Sequence, residues 1–168
     1  RIGRELSRGE PEGPRIVEAV SHLRLAGAVK DAVRYAAPAA RYLKSTFQSR
    51  AALDLLSTML RSVPEGRVLA RVEIALEMAD LQAQVGDLDE GIRNLQDFLP
   101  RSRDLPRPAR LRVLLRLATL HGRRGDLQRA DGLFAQELEE ASAQGSGLST
   151  EELAMIQSFN HARATGGT

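Results

Sequence analysis

The sequence contains no cysteine and no tryptophan, and aromatic residues make up only 4% of it. Without cysteine the chain can form neither a disulfide framework nor a cysteine-type zinc site, and it has no thiol nucleophile. That absence is also typical of a reducing compartment, so we expect a cytoplasmic protein. No apolar run approaches the roughly 20 residues that a membrane-spanning helix needs. The abundance of short alanine and leucine side chains favours closely packed helices over a β-sandwich.

The chain begins at Arg1 and not at methionine, and no signal-peptide pattern follows. We therefore expect a piece of a longer protein. Its 168 residues suffice for one domain with a real core. We assign residues 1–168 to one domain and predict that the tail, residues 162–168, is disordered.

Charge is segregated along the chain although the formal net charge is only +2. Residues 71–100 carry 2 basic and 7 acidic groups, whereas residues 101–129 carry 9 basic and 2 acidic groups. The arginines of the second stretch are dense enough to attract a phosphate backbone. However, no aromatic side chains for stacking lie among them, and the acidic stretches on both sides would repel a nucleic acid. The pattern favours a protein or peptide partner over a nucleic acid.

Apolar residues recur with helical period in almost every segment, and no stretch alternates like a strand. The segment 111–124 has two apolar stripes, which indicates a helix contacted from both sides. One stripe holds Leu111, Leu114, Leu115 and Ala118, and the other holds Val113, Leu117 and Leu120. Proline and glycine separate the helical segments at 64–66 and 100–108. Pro38 is expected to kink or break the helix that contains Tyr42.

A repeat of 39–40 residues is visible at four positions that share the same offset. Small residues occupy two of these columns and large apolar residues occupy the other two. Small side chains let two helices approach closely, and the large ones fill the space beside them. The columns are Ala39, Ala79 and Ala118; Ala51, Gly91 and Ala130; Leu55, Leu95 and Phe134; Met59, Leu99 and Leu138.

With these columns the sequence resembles the tetratricopeptide repeat (TPR) family. VGDLDEGIRNLQDFL (85–99) and RGDLQRADGLFAQEL (124–138) look like the turn and second helix of that repeat. Tyr42 falls on an aromatic position of the pattern, whereas His121 replaces the aromatic and Gly91 replaces an alanine. The period is longer than the usual repeat of about 34 residues. In this it resembles the arrays of bacterial STAND signalling ATPases and eukaryotic-like Ser/Thr kinases. The resemblance implies an all-α fold of about seven or eight helices, paired antiparallel and stacked into a right-handed superhelix (α-solenoid).

The tripeptide Arg124-Gly125-Asp126 could be an adhesion motif, a phosphate loop or a bend between helices. No strand precedes it and no Lys-Ser/Thr pair follows, so it does not match a phosphate loop. Glycine takes positive φ at little cost, and aspartate caps a helix N-terminus. Because Gly86-Asp87 repeats the same pair without the arginine, we predict a bend in both places.

The TPR resemblance places the binding surface on the concave side, along the first helix of each pair. The resemblance implies that a partner peptide or helix contacts acidic and apolar residues in one repeat and basic and apolar residues in the next. They are Glu73, Leu76, Glu77 and Asp80, then Arg112, Leu115, Arg116 and Arg123. Arg112, Arg116 and Arg123 are separated by four and seven residues, so helix geometry alone also places them on one face.

Two interpretations of these arginines compete. In TPR domains that grip a C-terminal carboxylate, two basic residues belong to the clamp, and Arg112 and Arg116 match their positions. Glu77, however, stands where the clamp has asparagine. Alternatively, Glu73 neutralises Arg112 and Glu77 neutralises Arg116 across neighbouring helices, with exposed pairs worth about 0–1 kcal/mol each.

The sequence offers no catalytic constellation, no cofactor motif and no metal-ligand spacing. His22, His121 and His161 lie far apart, and His121 is expected to be a packed or half-exposed imidazole. Ser149 and Glu152 form a capping box that opens a last helix. We expect a non-catalytic protein-interaction domain of a larger, bacterial signalling protein. The alternatives are a ligand-sensing array that controls an attached catalytic or transcription module, and a homo-oligomeric assembly surface.

Overall fold

The computed structural model describes residues 11–99, 105–133 and 135, and all regular secondary structure in these ranges is helical. The helices are α1 (Pro14–Leu25), α2 (Val29–Ser45), α3 (Ser49–Ser62), α4 (Val68–Val85), α5 (Leu88–Gln96) and α6 (Arg107–Arg124). A seventh helical segment covers residues 127–133. The all-α prediction is confirmed. The superhelix stays a prediction, and the tail at 162–168 and the Ser149–Glu152 cap lie outside the described residues.

The chain divides into two compact units, the first ending at Gly86 and the second beginning at Asp87. The first unit contains α1 to α4, and the second contains α5, α6 and residues 127–133. In the first unit each helix packs against the next, and α2 also contacts α4. In the second unit α5 packs against α6. Packing of consecutive helices joined by short loops is consistent with a helical repeat.

The core of the first unit is built on an alanine face of α2. Ala32, Ala36, Ala39 and Ala40 are at most 1% exposed, and they pack in one cluster with larger side chains such as Leu56 and Met59. Alanine adds little volume between helix axes, so α2 can lie close to α1, α3 and α4 at once. The larger side chains then fill the gaps beside these contacts.

Pro38 does not break α2, which runs without interruption from Val29 to Ser45. Of the predicted kink or break, the break is therefore wrong, and the kink stays a prediction. An interior proline removes one backbone hydrogen bond and costs about 3 kcal/mol in an isolated helix. Here the residues directly after it, Ala39 and Ala40, are buried against the neighbouring helices. The burial of this face offsets the local cost, so tertiary packing overrides the sequence signal.

The two glycine–aspartate pairs form the predicted bends. Gly86 ends α4 at φ 88° and Gly125 ends α6 at φ 89°, both in the left-handed region. The Asp87 carboxylate accepts a hydrogen bond from the Glu90 N–H at 3.3 Å, and Asp126 accepts one from the Arg129 N–H at 3.4 Å. Both aspartates therefore cap the following helix, which confirms the prediction.

Three of the repeat columns need a register correction in the first unit. Ala39, Ala79 and Ala118 are all 0% exposed, as expected for close helix contact. Ala51, however, is exposed, and its neighbour Ala52 is the buried residue. Leu56 at 0% exposure likewise replaces the half-buried Leu55. Met59, at 1% exposure, likewise corresponds to buried Phe98 at 7% exposure and not to half-buried Leu99.

The cause of this shift is one additional residue near the end of α2. The left-handed residue that ends the helix is Phe47, at φ 60°. It follows Ala39 by eight positions, whereas Gly86 and Gly125 follow Ala79 and Ala118 by seven. The second helix of the first pair therefore starts one position later than the fixed offset predicts.

The loop between α3 and α4 is closed by an arginine that the sequence did not indicate. Nη1 of Arg71 donates hydrogen bonds to the carbonyl oxygens of Leu60 and Val63, at 2.9 and 2.8 Å. Carbonyl groups at the end of a helix lack intrahelical partners and carry partial negative charge. Arg71, in the first turn of α4, thus satisfies two carbonyls at the C-terminal end of α3 and links the two helices.

Candidate functional site

The predicted acidic residues lie on one helix of the first unit. Glu73, Glu77 and Asp80 belong to α4 and share a face through spacings of four and seven. Glu73 is exposed, while Glu77 and Asp80 are half-buried. Leu76 is only 6% exposed and so has little surface left for a partner. What α4 presents on this face is therefore carboxylate and not the apolar contact expected of Leu76.

Glu77 has an ion-pair partner on the neighbouring helix α2. Nη1 of Arg41 donates to Oε1 of Glu77 at 3.3 Å, and the side chains are 61% and 31% exposed. A pair this exposed contributes about 0–1 kcal/mol. Sequence reasoning missed Arg41 because no pattern marks a contact between residues 36 positions apart. The expected neutralisation of Glu73 and Glu77 by Arg112 and Arg116 stays a prediction.

The predicted basic residues lie on α6 in the second unit. Both apolar stripes of this helix are buried except at Leu115, since Leu111, Val113 and Leu117 are at most 2% exposed, Leu114 is 8% exposed and Leu115 is half-buried. The prediction of two buried stripes is confirmed. The hydrophilic remainder of α6 is consequently narrow, and the arginines occupy it.

Arg112, Arg116 and Arg123 define what we call the arginine face. Arg112 and Arg123 are exposed, and Arg116 is half-buried. Leu115, also half-buried, packs against a small cluster formed by Ala118 and Ala130. The Thr119 hydroxyl donates back to the Leu115 carbonyl at 2.8 Å. The face thus combines guanidinium groups with one partly accessible leucine.

A polar network closes the C-terminal end of α6. Arg124 Nη1 donates to Asp89 Oδ1 of α5 at 2.7 Å, and its Nη2 donates to Asp126 Oδ2 at 3.3 Å. The hydrogen bond from Arg124 lowers the pKa of Asp89, although burial opposes this. Both charged side chains of the Arg-Gly-Asp tripeptide are therefore engaged within the chain. Such engagement favours the structural interpretation of that tripeptide over the adhesive one.

His121 lies beneath this network and is 2% exposed. Its Nδ1 is 3.3 Å from Arg124 Nη2 and 3.6 Å from Asp126 Oδ2. Burial lowers the pKa of His121, and the charge of Arg124 adds to that effect while Asp126 opposes it. The expectation of a packed imidazole is confirmed. A neutral ring whose Nδ1 accepts from Arg124 is the arrangement that these charges favour.

Within the described ranges no group of three or more histidine, cysteine, aspartate or glutamate residues is arranged to hold a metal ion. Among the same residues no helix combines the length and apolarity needed to cross a bilayer. Comparison with protein-family models, with curated proteins and with solved structures found no match to this chain.

Proposed function

We propose that this chain is a non-catalytic protein-binding module of TPR-like helix pairs within a larger signalling protein. Three observations support the repeat. Small residues are fully buried at Ala39, Ala79 and Ala118, matching glycine–aspartate bends end α4 and α6, and consecutive helices pack inside each unit. Such modules bind through the helix faces left outside the core.

The arginine face of α6 is the observation that carries the binding proposal. Two stripes of the helix are buried, and three arginines line one side of the surface that remains. Guanidinium groups bind carboxylates in a bidentate geometry and are weakly hydrated, so they suit protein recognition better than lysine. Leu115, half-buried beside the face, adds apolar contact. The partner is therefore an acidic peptide or helix with an apolar residue next to its carboxylates.

Complementary charges on two binding surfaces affect the association rate and the specificity more than they affect the total affinity. The interaction should weaken with salt, because exposed charges are screened beyond about 8 Å at physiological ionic strength. The acidic face of α4 belongs to the first unit, and its Glu73 and Asp80 carboxylates suit basic groups. A partner selected by the arginine face alone should therefore be acidic.

Binding of the intact chain to an array of acidic and neutral peptides tests this proposal. The test variant is Arg112→Glu/Arg116→Glu. The control is Arg61→Glu/Arg93→Glu, which makes the same change in charge on α3 and α5. Arg61 bonds only to Ser57 and Thr58 among the contacts described, and Arg93 pairs with Glu90 one turn away. Circular dichroism establishes that each variant is folded.

We expect the parent and the control to bind the same acidic peptides, and the test variant to lose them by about tenfold or more. Loss in both variants alike would assign the binding to general charge attraction. Failure of the parent to bind any acidic peptide at low salt would remove the arginine face as a binding surface. Arg112→Lys/Arg116→Lys separates bidentate recognition from charge, since it keeps the charge and removes the fork geometry.

A further inference from the structure

The turn between α2 and α3 presents an aromatic ring to solvent at a position where other turns have glycine. Phe47 is 98% exposed, the highest value of any large apolar side chain in the described residues. It is also the only non-glycine residue with positive φ there, at 60°. Gly27, Gly86 and Gly125 take this conformation in three other turns. Both the backbone and the exposed ring make phenylalanine an unfavourable choice for folding alone.

The turn that carries Phe47 is well ordered by hydrogen bonds. The N–H groups of Phe47 and Gln48 donate to the carbonyls of Lys44 and Leu43, at 3.0 and 2.8 Å, in a Schellman motif. The Thr46 hydroxyl donates to the Leu43 carbonyl at 3.0 Å and accepts from the Gln48 amide at 3.0 Å. The ring is therefore held on a defined turn and not on a loose loop.

The surroundings of the ring are basic and polar. Residues 41–50 contain three basic residues and no acidic one. Arg41 pairs with Glu77, whereas Lys44 and Arg50 are exposed and make no ion pair within the described part of the chain. Anionic groups are therefore the complementary surface for this turn.

Other features of the first unit lie at the same end as Phe47. Short loops make α2, α3 and α4 antiparallel, so the C-terminal end of α4 is beside the turn, and its last residue, Val85, is 51% exposed. A Cβ placed on Gly13 would lie 4.0 Å from the Tyr42 ring, so α1 begins there as well. Glu12, exposed just before α1, supplies an opposing charge.

We propose that this end of the first unit, with Phe47 at its tip, makes a weak and reversible contact with an anionic lipid surface. A protein partner would be expected to meet an apolar patch around its central aromatic residue. The chain neighbours of Phe47 are lysine, serine, threonine, glutamine and arginine, and half-exposed Val85 is the single apolar side chain described near it, which is too little for such a patch. A bilayer needs no matching shape, since an aromatic ring partitions into the headgroup region and nearby cations approach lipid phosphates.

Vesicle co-sedimentation with the intact chain tests the proposal. One set of vesicles is phosphatidylcholine alone, and the other contains about 30% phosphatidylserine, comparable to an anionic leaflet. The main variant is Phe47→Gly, because glycine adopts the left-handed conformation without strain and should keep the turn. The matched control is Leu25→Ser, which removes another exposed apolar side chain, 73% exposed, at the opposite end of the unit.

We expect the parent to bind the anionic vesicles and to leave them at about 0.5 M salt, where the Debye length is about 4 Å. Phe47→Gly should reduce the partition coefficient about tenfold, Lys44→Glu/Arg50→Glu should abolish binding, and Leu25→Ser should have no effect. No binding of the parent to anionic vesicles at low salt, or equal binding by Phe47→Gly, overturns the proposal. In that case a protein partner becomes the explanation for Phe47. The arginine face also attracts anions, so the loss caused by Phe47→Gly and by Lys44→Glu/Arg50→Glu, and not the binding of the parent alone, assigns the contact to this turn.

Discussion

Arg124 at the end of α6 and Asp89 near the start of α5 are joined by a 2.7 Å hydrogen bond between Nη1 and Oδ1. The same guanidinium contacts Asp126 and the His121 ring. One arginine therefore bonds a neighbouring helix, the cap of the next helical segment and a buried imidazole.

Asp89→Asn tests how much the α5–α6 contact contributes to stability. The amide oxygen can still accept from Arg124, but the charge that strengthens the bond is lost. The Asp89 side chain is 62% exposed, so solvent screens the pair and we expect Tm to fall by no more than about 2 °C. Thermal unfolding at low and high salt checks this, and the difference from the parent should shrink as salt rises. A larger loss at every salt concentration would mean that Asp89 also has a packing role.

His121 should make the second unit less stable as the pH falls below neutrality. Its pKa in the folded chain lies below the ordinary value of 6.5 because the ring is buried. As the pH falls, His121 is therefore protonated at a higher pH in the unfolded chain than in the folded chain. The stability that the neutral ring contributes is fully present above about pH 7.5. It declines as the pH falls through 6.5 and levels off below the pKa of the folded chain.

Urea denaturation between pH 5 and 8 measures this effect, compared with His121→Phe and with His22→Gln as the control at an exposed histidine. The His121→Phe variant should lose the decline between about pH 7.5 and 5, because the phenyl ring cannot titrate, whereas His22→Gln should retain it. An unchanged pH dependence in the His121→Phe variant would assign the decline to carboxylates.

Gly122 and Gly125, three residues apart, should respond to alanine with opposite signs. A Cβ at either position meets nothing within 4 Å, so only the backbone decides. Gly125→Ala forces φ 89° on a non-glycine residue and should lower the free energy of unfolding by about 1 kcal/mol. Gly122→Ala lies inside α6, where alanine is the better helix former, and should raise that free energy by up to about 1 kcal/mol. Urea denaturation of both variants measures the two changes, and a change of the same sign would contradict the backbone explanation.

Arg71→Met should destabilise the first unit more than other arginine substitutions do. The variant keeps the length of the side chain but leaves two helix-end carbonyls without the donor that satisfies them at 2.8 and 2.9 Å. Hydrogen bonds to charged groups contribute about 1.5–3 kcal/mol, and we expect a loss in that range. Arg67→Met, at an exposed position before α4, is the control and should change stability by less than about 0.5 kcal/mol. Equal effects of the two substitutions would show that the carbonyl contacts of Arg71 are not needed.

The sequence was sufficient to predict features that depend on local conformation. Gly125 and Asp126 were predictable because few residue types accept positive φ or cap a helix. The burial of both stripes of α6 followed from spacing alone. The register of α3 was not predictable, because a helix can contain one additional residue without altering the apolar pattern that identifies it.

Features that depend on the tertiary arrangement could not be predicted in this way. Arg41 reaches Glu77 from another helix, and Arg71 reaches carbonyl groups that have no sequence signature. Leu76 matched a surface position of the TPR pattern but is buried. Pro38 was expected to kink or break α2, and propensity could not reveal the packing that keeps the helix unbroken.

The alanine face of α2 has a mechanical consequence for the first unit. Alanine has no side-chain torsion to freeze, so burying it has no rotamer-entropy cost. Alanine also has no alternative rotamer, so a change of rotamer cannot accommodate a shift between neighbouring helices. The helix interface formed by Ala32, Ala36, Ala39 and Ala40 should therefore permit little relative movement of the helices. A displacement of one helix should move its neighbour by almost the same distance.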